Sequence, residues 1–275
     1  MTLGHTGPIP DIYPGAVLDI PRSARLAAWG TAWLQGRAST EAVVRAVVGD
    51  DEPHAVEPRD VLGRAVDDVQ GLLIALQDDG VRALRVVLPA PGDPVGLPGP
   101  PAFNTLALDA GECVLTAGGP AWGAVPEVIG FGSEWEPGHL VTWQVRAVDD
   151  RPYLGDSGLA EAERALKEGL LAATATLNRL GVAASGPDAA DQLRRLRHAE
   201  LPPGALPDGT PPRSVQVLST AGRLRAVLSL AAQDDGAAVT VLEAEERLRA
   251  LRELDVICRR AVVAAVNAAA PPPPP

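Results

Sequence analysis

The chain has 275 residues, 46% of them hydrophobic and 21% charged. That composition excludes wholesale disorder and leaves ample apolar surface for one large domain or two small ones. A formal net charge of −11, from 24 Lys+Arg against 35 Asp+Glu, argues against sequence-independent binding to nucleic acid or to an anionic membrane. Two cysteines, Cys113 and Cys258, are too few for a disulfide framework, and each reads as a small core hydrophobe.

Aromatic content is only 3%, so Leu, Val and Ala must build the core, a choice that suits helices. Lys167 is the only lysine and lies inside a helical pattern, which excludes a lysine-based phosphate loop or a polybasic anchor. The first 15 residues lack the apolar stretch of a signal peptide, and no apolar run approaches the ~20 residues of a membrane helix. The expected location is therefore the cytoplasm, with no membrane partner.

In chain order, 24–35 reads as a helix carrying Leu26, Trp29, Trp33 and Leu34 and stopped by Gly36. Ser39 or Thr40 caps a second helix that runs through Val48 to Gly49. Leu62, Val66, Val69, Leu73 and Leu76 recur at spacings of 4, 3, 4 and 3, predicting an amphipathic helix that ends at Asp78-Asp79-Gly80. Residues 81–88 form a strand candidate. Nine of the next thirteen, 89–101, are Pro or Gly, so that stretch is a loop. Residues 103–110 fit either a short helix or an extended segment. Residues 112–116 predict a strand, and 121–129 a weaker one that Pro126 confines to an edge or a bulge. Val141, Trp143, Val145 and Ala147 alternate with Thr142, Gln144 and Arg146, an antiparallel strand with one wet face.

Beyond Tyr153 the pattern is helical. Leu159, Ala162, Leu166, Leu170, Ala173, Leu177 and Leu180 share a face. A short helix is expected from Pro187 to Arg194, Arg195, Arg197 and His198, cations that suit a helix C-terminus. Val217, Ala221, Leu224, Leu228 and Ala231 make the next stripe. A last helix opens with a Thr240/Glu243 capping box and carries Leu248, Leu251, Cys258 and Val262. Leu166, Leu170, Leu177, Leu224, Leu228, Leu248 and Leu251 are expected to be buried together.

The fold class that follows is α+β, with a small antiparallel sheet flanked by N-terminal helices and a C-terminal layer of four helices. The expected division is N-terminal helices in 1–80, a β-rich segment in 81–153, the helical layer in 154–270 and a disordered polyproline tail in 271–275.

Chemical signatures are sparse. The four histidines, His5, His54, His139 and His198, are scattered, with no metal-ligand spacing, so no metal and no cofactor are expected. His139 follows Pro137-Gly138 and reads as an exposed turn residue, and the adjacent aspartate pairs, such as Asp50-Asp51, read as solvated turns. No catalytic residue is assigned. Two features stand out. One is loop 89–101, stiffened by proline, with Asp93 near its apex and Asn104 just after it. The other is a concentration of Phe103, Trp122, Phe131, Trp135, Trp143 and Tyr153 among acidic residues including Glu112 and Glu127. The expected function is a non-catalytic, intracellular binding or adaptor protein that holds a protein or peptide partner with its β face and the 89–104 loop. The alternative is an enzyme or small-molecule receptor with an acidic, aromatic-lined pocket between that loop and the sheet. The ligand-binding candidates are Asp93, Asn104, Glu112, Trp122 and Glu127; nucleic acid is excluded as a partner.

Overall fold

The computed structural model describes residues 18–61, 63–133, 136–150, 158–179, 195–196, 198–233 and 241–269. Among them are seven helices around a five-stranded sheet, an α+β architecture. Helix α1 (Arg22–Leu34) and helix α2 (Thr40–Val48) come first, and the Ser39 hydroxyl caps α2 by accepting the Ala42 N–H. Three short strands follow, β1 (Ala55–Glu57), β2 (Asp60–Val61) and β3 (Arg64–Ala65), then helix α3 (Val69–Asp78). The helix predicted from Leu62 onward is thus shorter than its stripe. Asp68 caps α3 by accepting the Gly71 N–H at 2.8 Å, and β2 and β3 occupy the preceding residues. Val66 is buried from an extended segment, so its helical spacing is a coincidence of two neighbouring elements; Leu62 lies outside the described residues.

Strand β4 (Ala83–Val87) leads through the proline-rich loop into helix α4 (Pro101–Ala110). Pro101 takes the first helical position, where a missing N–H costs nothing, and Gly111 closes the helix in a left-handed conformation. Strands β5 (Cys113–Ala117), β6 (Trp122–Gly132) and β7 (Pro137–Ala147) complete the sheet, whose order is β1-β7-β6-β5-β4. The expectation of an antiparallel sheet needs one correction. Strand β1, from before α3, pairs with β7 in parallel, so the sheet is mixed. The expectation for Pro126 holds locally: β6 lies in the middle of the sheet, but its pairing with β5 stops at Ala124, so Pro126 faces a stretch of open edge where its missing N–H breaks no ladder bond.

Helices α5 (Leu159–Arg179), α6 (Pro212–Gln233) and α7 (Val241–Ala269) form the C-terminal layer. Most of the short helix expected before His198, the Thr240 capping box and the proline tail lie outside the described residues. Leu166 and Leu228 are buried, and Leu224 and Leu251 pack partly buried against the core. Leu170 and Leu248, expected in the core, are exposed, and the side chain of Leu177 is outside the description. Among the described residues α5 packs mainly on α7, which buries a narrower stripe than the leucines of α5 mark out.

The sheet has two different faces. Leu84, Val86, Val114, Ala124, Val141, Trp143 and Val145 join one large core with α1, α3 and α7. Val87, Cys113, Leu115 and Val125 point the other way and pack under Phe103 and Ala107 of α4. Helix α1 is buried nearly all round; a Cβ at Gly30 would sit 2.7 Å from Leu84 Cδ1, so glycine lets this helix approach the sheet. Among the described residues no helix is long and apolar enough to cross a membrane.

Candidate functional site

The five residues singled out from the sequence do not share a pocket. Asp93 is buried and pairs with Arg259 at 3.1 Å and Arg260 at 2.8 Å, both on α7. Asn104 Oδ1 accepts the Gly99 N–H at 2.9 Å, while Gly99 C=O accepts the Asp149 N–H, so the end of the loop is tied down twice. Glu112 Oε2 accepts the Ser23 N–H at 2.7 Å and thereby caps α1, whose own N-cap residue, Pro21, has no side chain able to do so. Trp122 rests against the main core beside Leu26 and Leu72. Glu127 is exposed on β6 and accepts a hydrogen bond from Gln144 at 3.1 Å. The five engage α7, the loop, α1, the core and β7 respectively. Trp135 and Tyr153 of the aromatic group lie outside the described residues.

What the sheet offers instead is a projecting arm. Beyond Ala124, strand β6 keeps β7 as its partner out to Gly132↔Pro137, and the chain reverses between Ser133 and Glu136, which exchange backbone hydrogen bonds. In the register Ile129↔Leu140 and Phe131↔Gly138, these four positions share the α4 side of the sheet, past the reach of α4 itself. Ile129 is 57% exposed, Phe131 47% and Leu140 48%, with Val128 39% exposed on the opposite side. The Phe131 ring reaches over Gly138, where a Cβ would collide with the ring carbons. Nearer the body, Gln144 Nε2 donates to Glu127 and to Glu57, and Arg146 donates to Gln144 Oε1, a polar row that borders the apolar patch.

A buried network holds the other side of the arm. Asp51 accepts two 2.7 Å hydrogen bonds from Arg22 and lies 3.2 Å from His54 Nε2 and 3.2 Å from His139 Nδ1. Trp143 Nε1 donates to His54 Nδ1 at 3.1 Å, so the ring proton of His54 sits on Nε2, facing Asp51. Burial, chiefly, pushes the His54 pKa down, with Asp51 offsetting part of that. Burial alone would raise the Asp51 carboxyl, but the Arg22 and His54 contacts outweigh it and hold it below its ordinary value. Two readings from the sequence are corrected here. Asp51 is no solvated turn residue, and His139 is in a strand, paired across to Gly130.

The sequence does contain a sign of the arm. Val128 and Ile129 are adjacent in a strand, so their side chains face opposite sides and cannot both rest on a one-sided core. A groove of about 610 Å³ also opens between α1, α2 and residues 202–205. Arg25 and Arg45 are matched there by Asp19 and Asp50, which leaves no net charge to select a ligand.

Comparison with known proteins adds a family. The chain is 29% identical to "Uncharacterized protein Rv1486c" of Mycobacterium tuberculosis strain H37Rv, over 89% of this chain and 96% of that one. It is equally similar to "Uncharacterized protein MT1533" of Mycobacterium tuberculosis strain CDC 1551, and 28% identical to "Uncharacterized protein MAV321" of Mycobacterium avium, over 76% and 78% of the two chains. No solved structure matches. The N-terminal domain of the Rv1486c-like proteins matches residues 23–156 and the C-terminal domain residues 160–263. Both domains are present in order and together take in most of the sequence: the chain belongs to the Rv1486c-like proteins.

Proposed function

We propose that this chain is a cytoplasmic, non-catalytic binding protein that docks a protein partner on the β6–β7 arm. The observation that carries this reading is the contiguous exposure of Ile129, Phe131 and Leu140 on a ribbon that extends past its covering helix. Scattered apolar side chains are normal on a surface; a cross-strand cluster bordered by a polar row is a pattern typical of interfaces. The 89–104 loop, the other half of the expectation from sequence, contributes less, since Asp93 and Asn104 are used to anchor it.

The test places a photo-crosslinking side chain at Ile129 and, in a separate variant, at Val95, an exposed apolar residue of the loop. The expected result in intact cells is a discrete protein adduct from position 129 and none from 95. Adducts from 95 alone would move the binding site to the loop, and none from either would sink the binding reading.

A further inference from the structure

The arm has a property that bears on what docks there. In an antiparallel strand, alternate residues point their backbone groups to opposite sides. Ala121 C=O accepts from Val148 on the β7 side, whereas the Trp122 N–H donates to Thr116 Oγ1 on the β5 side. Continued along β6, this alternation turns the backbone groups of Val128 and Gly130 away from β7, toward the side where β5 has already ended. Pro126 faces that side too and has no N–H to offer. At the far end Gly132 adopts φ of +90° and the chain turns at Ser133. Among the described residues the open edge is therefore bracketed to 128–132.

We infer that this edge pairs with the same edge of a second copy of the chain, antiparallel about a two-fold axis through Gly130. This rests on the reading of the arm as a docking surface and names its occupant. Two observations favour a copy over another protein. The register that puts Gly130 opposite itself puts Ile129 opposite Phe131 of the copy twice, on the face that already carries Leu140. Residues 128–132 carry no charge, and the adjacent Glu127 is already held by Gln144. Two chains of net charge −11 can meet at this neutral strip, whereas a basic partner finds no counter-charge in it.

So short an interface makes a weak dimer, with dissociation in the micromolar range or above. Sedimentation of the full chain from about 1 to about 300 µM should show a monomer passing into a dimer. Two variants, checked for an unchanged melting midpoint, interrupt it by different routes. Gly130→Pro removes an outward N–H without touching the patch, and Ile129→Asp charges the patch without touching the edge. Each should weaken association at least about tenfold. Gly130→Cys should form an interchain disulfide under mild oxidation, since facing residues of a hydrogen-bonded pair lie about 5.5 Å apart at Cα. Cys113 and Cys258 are buried and will not compete: burial pushes both thiols up, Cys258 to about 12. A wild-type chain that stays monomeric throughout overturns the inference, as does a dimer indifferent to both variants. If the chain is monomeric while Ile129 still crosslinks to a different protein, the binding reading stands and only the second copy falls.

Discussion

The carboxamide of Asn267 pairs with both backbone groups of Val86, accepting its N–H at 3.0 Å and donating to its C=O at 3.4 Å. Strand β4 is an edge of the sheet, and helices α1 and α7 cover that edge from water. Every second residue along it must therefore find a partner. Thr31 Oγ1 serves Leu84, Asn267 serves Val86 and Arg259 serves Leu88. Asn267→Leu keeps the branched heavy-atom shape and leaves the Val86 N–H and C=O without their side-chain partner in the core. The expected loss is about 1–3 kcal/mol in urea unfolding, and an unchanged midpoint would mean that water takes over the bond.

Arg259 is the most demanding of these three residues. It is buried, donates to Leu88 C=O at 2.7 Å, and is balanced by Asp93 and Asp255. Asp93→Ala leaves Arg259 with Asp255 still beside it but takes away a buried charge-assisted partner, and should cost about 1–3 kcal/mol. Calorimetry that finds Asp93→Ala as stable as the wild type would return Asp93 to the list of ligand-binding candidates.

The Asp51 network predicts a dependence on pH. Protonating His54 Nδ1 would set two N–H groups against each other at Trp143, and burial opposes the charge as well. A histidine whose folded pKa lies below its ordinary 6.5 stabilises the fold above that pH. The contribution is lost as pH falls from 6.5 through the folded value, because the unfolded chain takes up the proton first. Asp51, also depressed, acts with the same sign at lower pH, below its ordinary 3.8. Stability should therefore fall on acidification from about pH 6.5, by up to about 1.4 kcal/mol per pH unit for one proton. His54→Gln should flatten that slope; an unaltered slope would assign it to other groups.

Glu112 has the opposite sign. Burial, above all, pushes its carboxyl up, against the pull of the Ser23 N–H and Arg22. Its contribution is complete below the ordinary 4.5 and is lost as pH rises through the folded value. Glu112→Ala removes the cap of α1 and should cost about 1 kcal/mol at neutral pH. Glu112→Gln keeps an acceptor without the charge and should equal or exceed the wild type in thermal midpoint. A Gln variant as unstable as the Ala variant would show that the charge itself is needed.

The leucines of the C-terminal layer divide by burial. Leu166→Ala should cost about 2–5 kcal/mol, whereas Leu170→Ala and Leu248→Ala on exposed positions should stay within about 0.5 kcal/mol. Equal losses at all three would place the two exposed leucines in an interface.

Much of the chain's local structure is legible in its sequence. The cap at Ser39, the alternation through Trp143 and the loop that opens at 89 are short-range patterns, decided by residues a few positions apart, whereas the choice of helix over extended chain for 103–110 was left to the structure. The hydrophobic stripes likewise announced helices in the C-terminal half, though not which leucines would meet a neighbour. What only the tertiary structure decided is long-range. Strand β1 reaches β7 across more than eighty residues and turns an antiparallel sheet into a mixed one. Asp51 meets His139 and Asp93 meets Arg259 through no periodicity at all, because a salt bridge leaves no spacing in a sequence. The apolar arm was hidden for a related reason. Exposure is a property of what fails to cover a residue: the adjacent Val128 and Ile129 mark both faces of the strand as apolar, but not that α4 ends its coverage before Ile129.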